Sequence, residues 1–219
     1  YDSIDDNLIG EALKLALREL ITSTHTHNTS YEELKTWLQY TDEDINNPDN
    51  IILFYSGLSI DSTWDNDWNR EHVWPQSLGW FTESGAGSDL HHIRPTDPSV
   101  NSSRGNKKFG EVVNGNEVTI SPGNGGGGSG CYSNSQYFEP RDEVKGDVAR
   151  IIFYLMTRYS QSDNYVFTDV AQSLEMLLEW HESDPVDNAE IIRNDRIEDY
   201  QGNRNPYIDN PNYAFLIWL

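Results

Sequence analysis

The sequence predicts a mixed α+β chain, on three observations. Apolar residues recur at helical spacing before Asp42 and again after Asp142. Between them lies a β-branched and aromatic run, "NIILFYSGLSI", and then a strand, strand, helix order from about Val73 to Gly110. At 219 residues the chain is large enough to bury a real core, and it shows neither a repeat nor a linker that would divide it, so residues 1–219 are read as a single domain.

In chain order, "LIGEALKLALREL" carries apolar residues at helical spacing. In "SYEELKTWLQY", Ser30 stands three before Glu33, a capping box that starts a second helix. "NIILFYSGLSI", interrupted at Gly57, reads as a buried strand, and "DSTWDNDWN" as an acidic turn. Val73 and Trp74 predict a short strand stopped by Pro75, and "DLHHIRP" a second strand closed by Pro95, joined through a connection from Gly79 to Gly87. "DPSVNSSRGNKKFG" then predicts a helix that starts near Asp97 or Ser99 and ends before Gly110. "SPGNGGGGSG" is read as a mobile loop, and it lacks the Lys and Ser/Thr of a phosphate-binding P-loop. "DEVKGDVARIIFYLMTRY" sets Val144, Val148, Ile151, Ile152, Leu155, Met156 and Tyr159 on one helical face. "DVAQSLEMLLEWHESDP" is a further helix halted at Pro185.

Composition limits what the chain can do. Seven Trp, twelve Tyr and seven Phe give material for a core and for binding surfaces, so the chain is not a disordered one. It has no run of the ~20 apolar residues that a membrane span needs, and a soluble chain is expected. It begins at Tyr1, which suits a processed mature form without establishing one. The single Cys131 rules out an internal disulfide framework. A net charge of −21, from 36 acidic and 15 basic residues, opposes broad attraction to nucleic acid or anionic lipid. Any polyanion partner therefore needs a local cationic strip or a metal ion.

The chemistry concentrates in "WNREHVWPQS" and "SDLHHIRPTDPSVNSSRGNKKFG". If Glu71, His72 and a polar side chain of the following helix converge, a carboxylate and an amide oxygen are hard ligands suited to Mg²⁺. A neutral imidazole beside them is a competent base near pH 7, and the metal would stabilise charge on a phosphorane and on the departing 3′ oxygen. Adjacent residues of a regular strand point to opposite faces, so a shared site at Glu71 and His72 predicts a strand that breaks or ends there.

With "NREHVWPQS", "DLHHIRPTDPSVNSSRGNKKFG", "FEPRDEVKGDVARIIFYLMTRY", "LLEWHESDPVD" and "QGNRNPYIDNP", the chain resembles the endonuclease I family of secreted and periplasmic bacterial nucleases, within the ββα-metal (His-Me finger) nucleases. The resemblance runs from about Asn50 nearly to the end. It implies a ββα-metal core at about residues 68–110, with a small sheet surrounded by several helices. It implies Glu71 and Asn101 as metal ligands and His72 as general base. It also implies a secreted, monomeric enzyme that cuts DNA, often RNA too, with little sequence preference. The implied enzyme uses one Mg²⁺, with Mn²⁺ or Ca²⁺ as alternatives, and leaves 5′ phosphates. The chain lacks the several cysteines of better-known members, and the arginine of the transition state does not align.

Arg94, Arg104, Lys107, Lys108 and Arg141 are the candidate phosphate contacts in an otherwise acidic chain, with Arg104 and Arg141 also read as catalytic; solvated surface charge is the alternative. Asn106 is read as a helix-end residue, His181 and at least one of His91 and His92 as structural, and "QGNRNP" as a turn that buttresses the site. A zinc site of His91 or His92 with Cys131 lacks ligand spacing. The Asp/Asn loops "YTDEDINNPDN" and "DSTWDNDWN" do not fit an EF-hand. Activity is expected to fall with salt, unless the acidic surface is adapted to brine, and as acid protonates His72. Two rivals stand beside this reading: a catalytically silent, secreted metal- or polyanion-binding domain, and a phosphodiesterase for small nucleotides with a closed cleft.

Overall fold

The computed structural model describes residues 1, 4–64, 67–79, 81–159 and 165–219. Two helices open the chain, α1 (Gly10–Thr24) and α2 (Leu34–Thr41). The capping box forms as expected: Ser30 N donates to Glu33 Oε2 at 2.8 Å and Glu33 N to Ser30 Oγ at 3.3 Å. A three-stranded antiparallel sheet follows, with β1 (Glu43–Asp44), β2 (Asn47–Ile52) and β3 (Ser59–Asp61). "NIILFYSGLSI" is thus a hairpin and not one strand. Gly57, at φ +69°, supplies the left-handed residue of its turn. Of the acidic stretch "DSTWDNDWN", Asp65 and Asn66 lie outside the described residues.

Next come β4 (Asn69–His72), the short α3 (Gln76–Gly79), β5 (Ile93–Thr96) and α4 (Pro98–Arg104). Strand, strand, helix is the predicted order, with shifted boundaries. β4 ends one residue before Val73, because the Val73 carbonyl accepts from Arg104 and Trp74 N donates to His92 Nε2, each outside a ladder. Asp89 to His92 form a turn, since Asp89 captures the next backbone groups: its carbonyl accepts from His92 N, and its carboxylate from His91 N. The predicted connection from Gly79 to Gly87 includes residue 80, outside the described residues.

The helix of "DPSVNSSRGNKKFG" stops at Gly105, φ +55°. Lys108–Phe109 then form β6, which pairs in parallel with β9 (Tyr137–Glu139); β8 (Gly128–Ser133) and β7 (Asn116–Thr119) complete a four-stranded sheet. The end of the glycine-rich stretch is therefore strand, not loop. α5 (Lys145–Arg158) is buried along the predicted stripe and on its other sides too, at Phe153, Tyr154 and Arg150 among others, which makes it the central helix. α6 (Leu174–Ser183) begins later than predicted, where Ser173 Oγ accepts from Met176 N, and ends short of Pro185. α7 (Asn188–Gln201), α8 (Pro206–Asp209) and α9 (Asn212–Trp218) close the chain. The main core centres on α5, and a smaller one lies between α2, β2, β5 and α7. No helix among the described residues is long and apolar enough to cross a membrane.

Candidate active site

β4 and β5 pair antiparallel, with Glu71 opposite Arg94 and His72 opposite Ile93. Side chains alternate along a strand, so Asn69 and Glu71 share one face of β4 and Arg70 and His72 the other. α4 lies along the first face. Asn101 Nδ2 donates to Asn69 Oδ1 at 2.6 Å, and Arg104 Nε sits 3.4 Å from Glu71 Oε1. Asn101 and Arg104 are three apart and so look the same way from the helix. The structure therefore brings Glu71 and Asn101 to one strand–helix interface.

Local chemistry fixes that helix. Asp97 caps its start, with Oδ1 accepting from Ser99 N at 2.9 Å and Val100 N at 3.1 Å, and Pro98 follows in the first turn. The same carboxylate accepts from Ser121 N and Asn124 Nδ2, which ties the Gly-rich segment to the helix start.

Glu71 is 3 % exposed. Tyr55 Oη donates to its Oε1 at 2.8 Å, the oxygen that Arg104 also addresses. Burial pushes this carboxyl up, and the Arg104 charge and the Tyr55 hydroxyl offset that only in part. Asn101 has its NH₂ end on Asn69, which turns its carbonyl oxygen away from that partner. A carboxylate and an amide oxygen are hard donors of the kind Mg²⁺ takes while it keeps waters. Among the described residues no three His, Cys, Asp or Glu converge on a metal position.

His72 ends β4 on the opposite face. Its Nε2 lies 3.1 Å from the Gly87 carbonyl. A carbonyl only accepts, so Nε2 carries the proton and Nδ1 the lone pair. Burial lowers the imidazole to about 4, against the Gly87 bond, with the charges of Arg70 and Arg104 acting in the same downward direction. Tyr31 stacks on the ring at 5.8 Å, and Phe81 and His92 flank it. The strand ends here as predicted, yet the Glu71 and His72 side chains take different partners across the strand.

The segment that carries Gly87 is braced from the C-terminal part of the chain. Asp89 Oδ1 accepts from Gln201 Nε2 at 2.9 Å, and Oδ2 from Tyr154 and Tyr159 hydroxyls at 2.7 and 2.8 Å. Gln201 Oε1 accepts from Leu90 N, and the Asn203 carbonyl lies 3.1 Å from His91 Nε2. "QGNRNP" is the buttress the sequence suggested. His92 donates from Nδ1 to the Ala86 carbonyl and accepts at Nε2 from Trp74 N. Both histidines are thus hydrogen-bonded core groups, as is His181 between Arg150 and the Pro211 carbonyl. Cys131 is buried with its thiol on the Tyr55 carbonyl. Asn106 is exposed just past α4.

The cations separate. Arg104 is fully enclosed, donating to the Val73 and Gly105 carbonyls beside Glu71, with its guanidinium over Phe109. That placement corrects its reading as a phosphate contact, because no part of it reaches solvent. Arg94 is committed to Asp42 at 2.9 Å and to the face of Phe54. Arg141 donates to the Tyr55 carbonyl at 3.0 Å and keeps 23 % of its side chain exposed. Lys107 donates to the Ser103 carbonyl and Lys108 to that of Thr168. Arg70, within the motif but given no role by sequence, lies on the His72 face with its guanidinium 3.6 Å from the Tyr31 ring. Asn69 was equally missed; its signal was the two-residue spacing from Glu71.

The profile of the Endonuclease I family matches residues 9–212. An extracellular ribonuclease of Bacillus amyloliquefaciens is 45 % identical over 95 % of this chain and 74 % of its own length, and one of Bacillus subtilis (strain 168) is 43 % identical over 95 % and 75 %. An extracellular deoxyribonuclease of Aeromonas hydrophila is 30 % identical over 55 % of this chain and 48 % of its own. The chain belongs to the endonuclease I family and is a hydrolytic nuclease.

Proposed function

We propose that the chain is a secreted, metal-dependent endonuclease that hydrolyses RNA and DNA without sequence preference, working as one domain around a ββα-metal core. The observation that carries this is the arrangement of β4, β5 and α4, which holds Glu71 and Asn101 on one side of the strand end and His72, with Nδ1 unprotonated, on the other. In this reading His72 Nδ1 takes a proton from water, and the water oxygen bonds to phosphorus. The bond from phosphorus to O3′ breaks, O3′ takes a proton from solvent water to leave as a hydroxyl, and the phosphate stays on the 5′ side. Glu71 and Asn101 would hold Mg²⁺, or Mn²⁺ or Ca²⁺ in its place, and the ion supplies charge stabilisation at the phosphorane and at the departing oxygen.

Arg104 serves by positioning: it holds Glu71 against α4. Arg141, Lys107 and Lys108 remain the proposed phosphate contacts, and Arg94, a fourth candidate, is paired with Asp42. The ribonuclease names of the two relatives that match nearly the whole chain support RNA as a substrate. The deoxyribonuclease matched over half of it supports DNA, and their description as extracellular supports secretion.

The test is incubation with labelled single-stranded RNA and with supercoiled plasmid, in Mg²⁺ or in EDTA. Cleavage of both in Mg²⁺ alone, with ends sensitive to a 5′-phosphate-dependent exonuclease, is the expected result. Intact substrates in every divalent cation would overturn the reading.

A further inference from the structure

The second face of β4 continues away from His72 as a strip of rings and cations. Tyr31 stacks on His72 with an interplanar angle of 20°, the Arg70 guanidinium lies over Tyr31 and, at 5.0 Å, near the ring of Trp64, and Lys35 Nζ lies 5.2 Å from the Trp64 ring. Tyr31 and Trp64 are only half-buried, whereas Trp68, against which Trp64 rests edge to face, is 1 % exposed.

We propose that Trp64, with Arg70 and Lys35 beside it and Tyr31 packed between Arg70 and His72, forms a stacking subsite for the unpaired bases of a single-stranded polynucleotide threaded past His72. The subsite deepens the nuclease reading and rests on it. Aromatic rings bind any base through its π face, and interleaved cations suit a polyanion in a chain whose net charge is −21. The strip is continuous with the base, since Arg70 and His72 alternate on one strand face.

Covering the smaller core is the competing role of these rings, because both pack against it. That role explains Trp37, whose ring is already stacked on Tyr200, but it leaves Trp64 half-exposed with two cations near its ring, Arg70 held there by the Tyr31 carbonyl. Glu32 lies near both cations, 2.7 Å from Lys35 and 3.8 Å from Arg70. It weakens the strip as a phosphate site but leaves it as a base site. A duplex shows its phosphates outward and keeps its bases stacked inside, so the subsite favours single strands.

The test is fluorescence anisotropy in EDTA, with labelled single-stranded RNA, single-stranded DNA and a duplex of the same sequence. Single strands of both kinds are expected to bind more tightly than the duplex. Trp64→Ala is expected to weaken single-strand binding about tenfold, and Trp64→Phe to restore most of it. Photocrosslinking of an iodouridine oligonucleotide to the wild type, expected at Tyr31 or Trp64, decides the matter if Trp64→Ala does not fold. Equal binding of duplex and single strand, an unchanged Kd in folded Trp64→Ala, or crosslinks only elsewhere would overturn the subsite. Cleavage without single-strand preference would sink the subsite and leave the nuclease standing. Single-strand binding at Trp64 with no cleavage in any cation would do the reverse.

Discussion

Nε2 of His72 lies 3.1 Å from the carbonyl oxygen of Gly87, and this contact determines which ring nitrogen is basic. The carbonyl holds the proton on Nε2, so Nδ1 keeps its lone pair for water. A Cβ at Gly87 would come within 1.7 Å of the Thr82 carbonyl oxygen, so Gly87→Ala must shift the turn and with it the acceptor. Gly87→Ala is expected to lower kcat by about 100-fold with the protein still folded. Unchanged kcat in a folded variant would show that the contact does not orient the base.

Asn69 fixes the Asn101 amide through the 2.6 Å hydrogen bond, and should act on metal binding without touching the metal. Asn69→Ala is expected to weaken Mn²⁺ or Mg²⁺ binding by about 10- to 100-fold in calorimetric titration of the protein without substrate. Unaltered affinity would detach Asn69 from the site.

Arg104 distinguishes a positioning role from a phosphate contact. Removing it leaves the buried Glu71 carboxylate with only Tyr55, so Arg104→Ala should destabilise the fold by about 3–5 kcal/mol in urea unfolding. A stable variant with only a raised KM for nucleic acid would return Arg104 to the phosphate contacts.

Acid should weaken the fold through the buried histidines. Burial holds His91 and His181 down to about 4 and His92 to about 3, while in the unfolded chain each lies near ~6.5. With the folded value depressed, the unfolded chain takes up protons that the folded chain refuses. Stability is therefore lost as pH falls from about 6.5 towards 4 and below. Asp89 acts in the same direction at lower pH: burial raises its carboxyl, but Arg158, the neighbouring histidines and its hydrogen bonds pull it well below the carboxylate range. Its contribution is present above about 3.9 and fades only at lower pH. Urea midpoints should drop between about pH 7 and pH 5; equal midpoints would contradict this.

The placement of the proposed site residues was legible because their order survives local shifts of element boundaries. Glu71, His72 and Asn101 fall on strand, strand end and helix whether β4 stops at Pro75 or at His72. The turn at Asp89 was not legible, because "DLHHIRP" carries strand-like residues, and only a carboxylate that captures its own backbone and three distant side chains overrides them. Arg104 read as an accessible phosphate contact because its enclosing partners, the Val73 carbonyl and the Phe109 face, appear only once the helix packs. Tyr31 could not be placed beside His72 from sequence, since helix α2 and the three strands β1 to β3 separate them along the chain.

The most direct test of the central claim compares wild type with His72→Ala on single-stranded RNA and supercoiled plasmid in Mg²⁺, with circular dichroism to confirm folding. The account predicts a folded variant whose cleavage rate falls by at least about 100-fold on both substrates. A folded His72→Ala protein that cuts as fast as wild type would contradict His72 as the base and the site built around it.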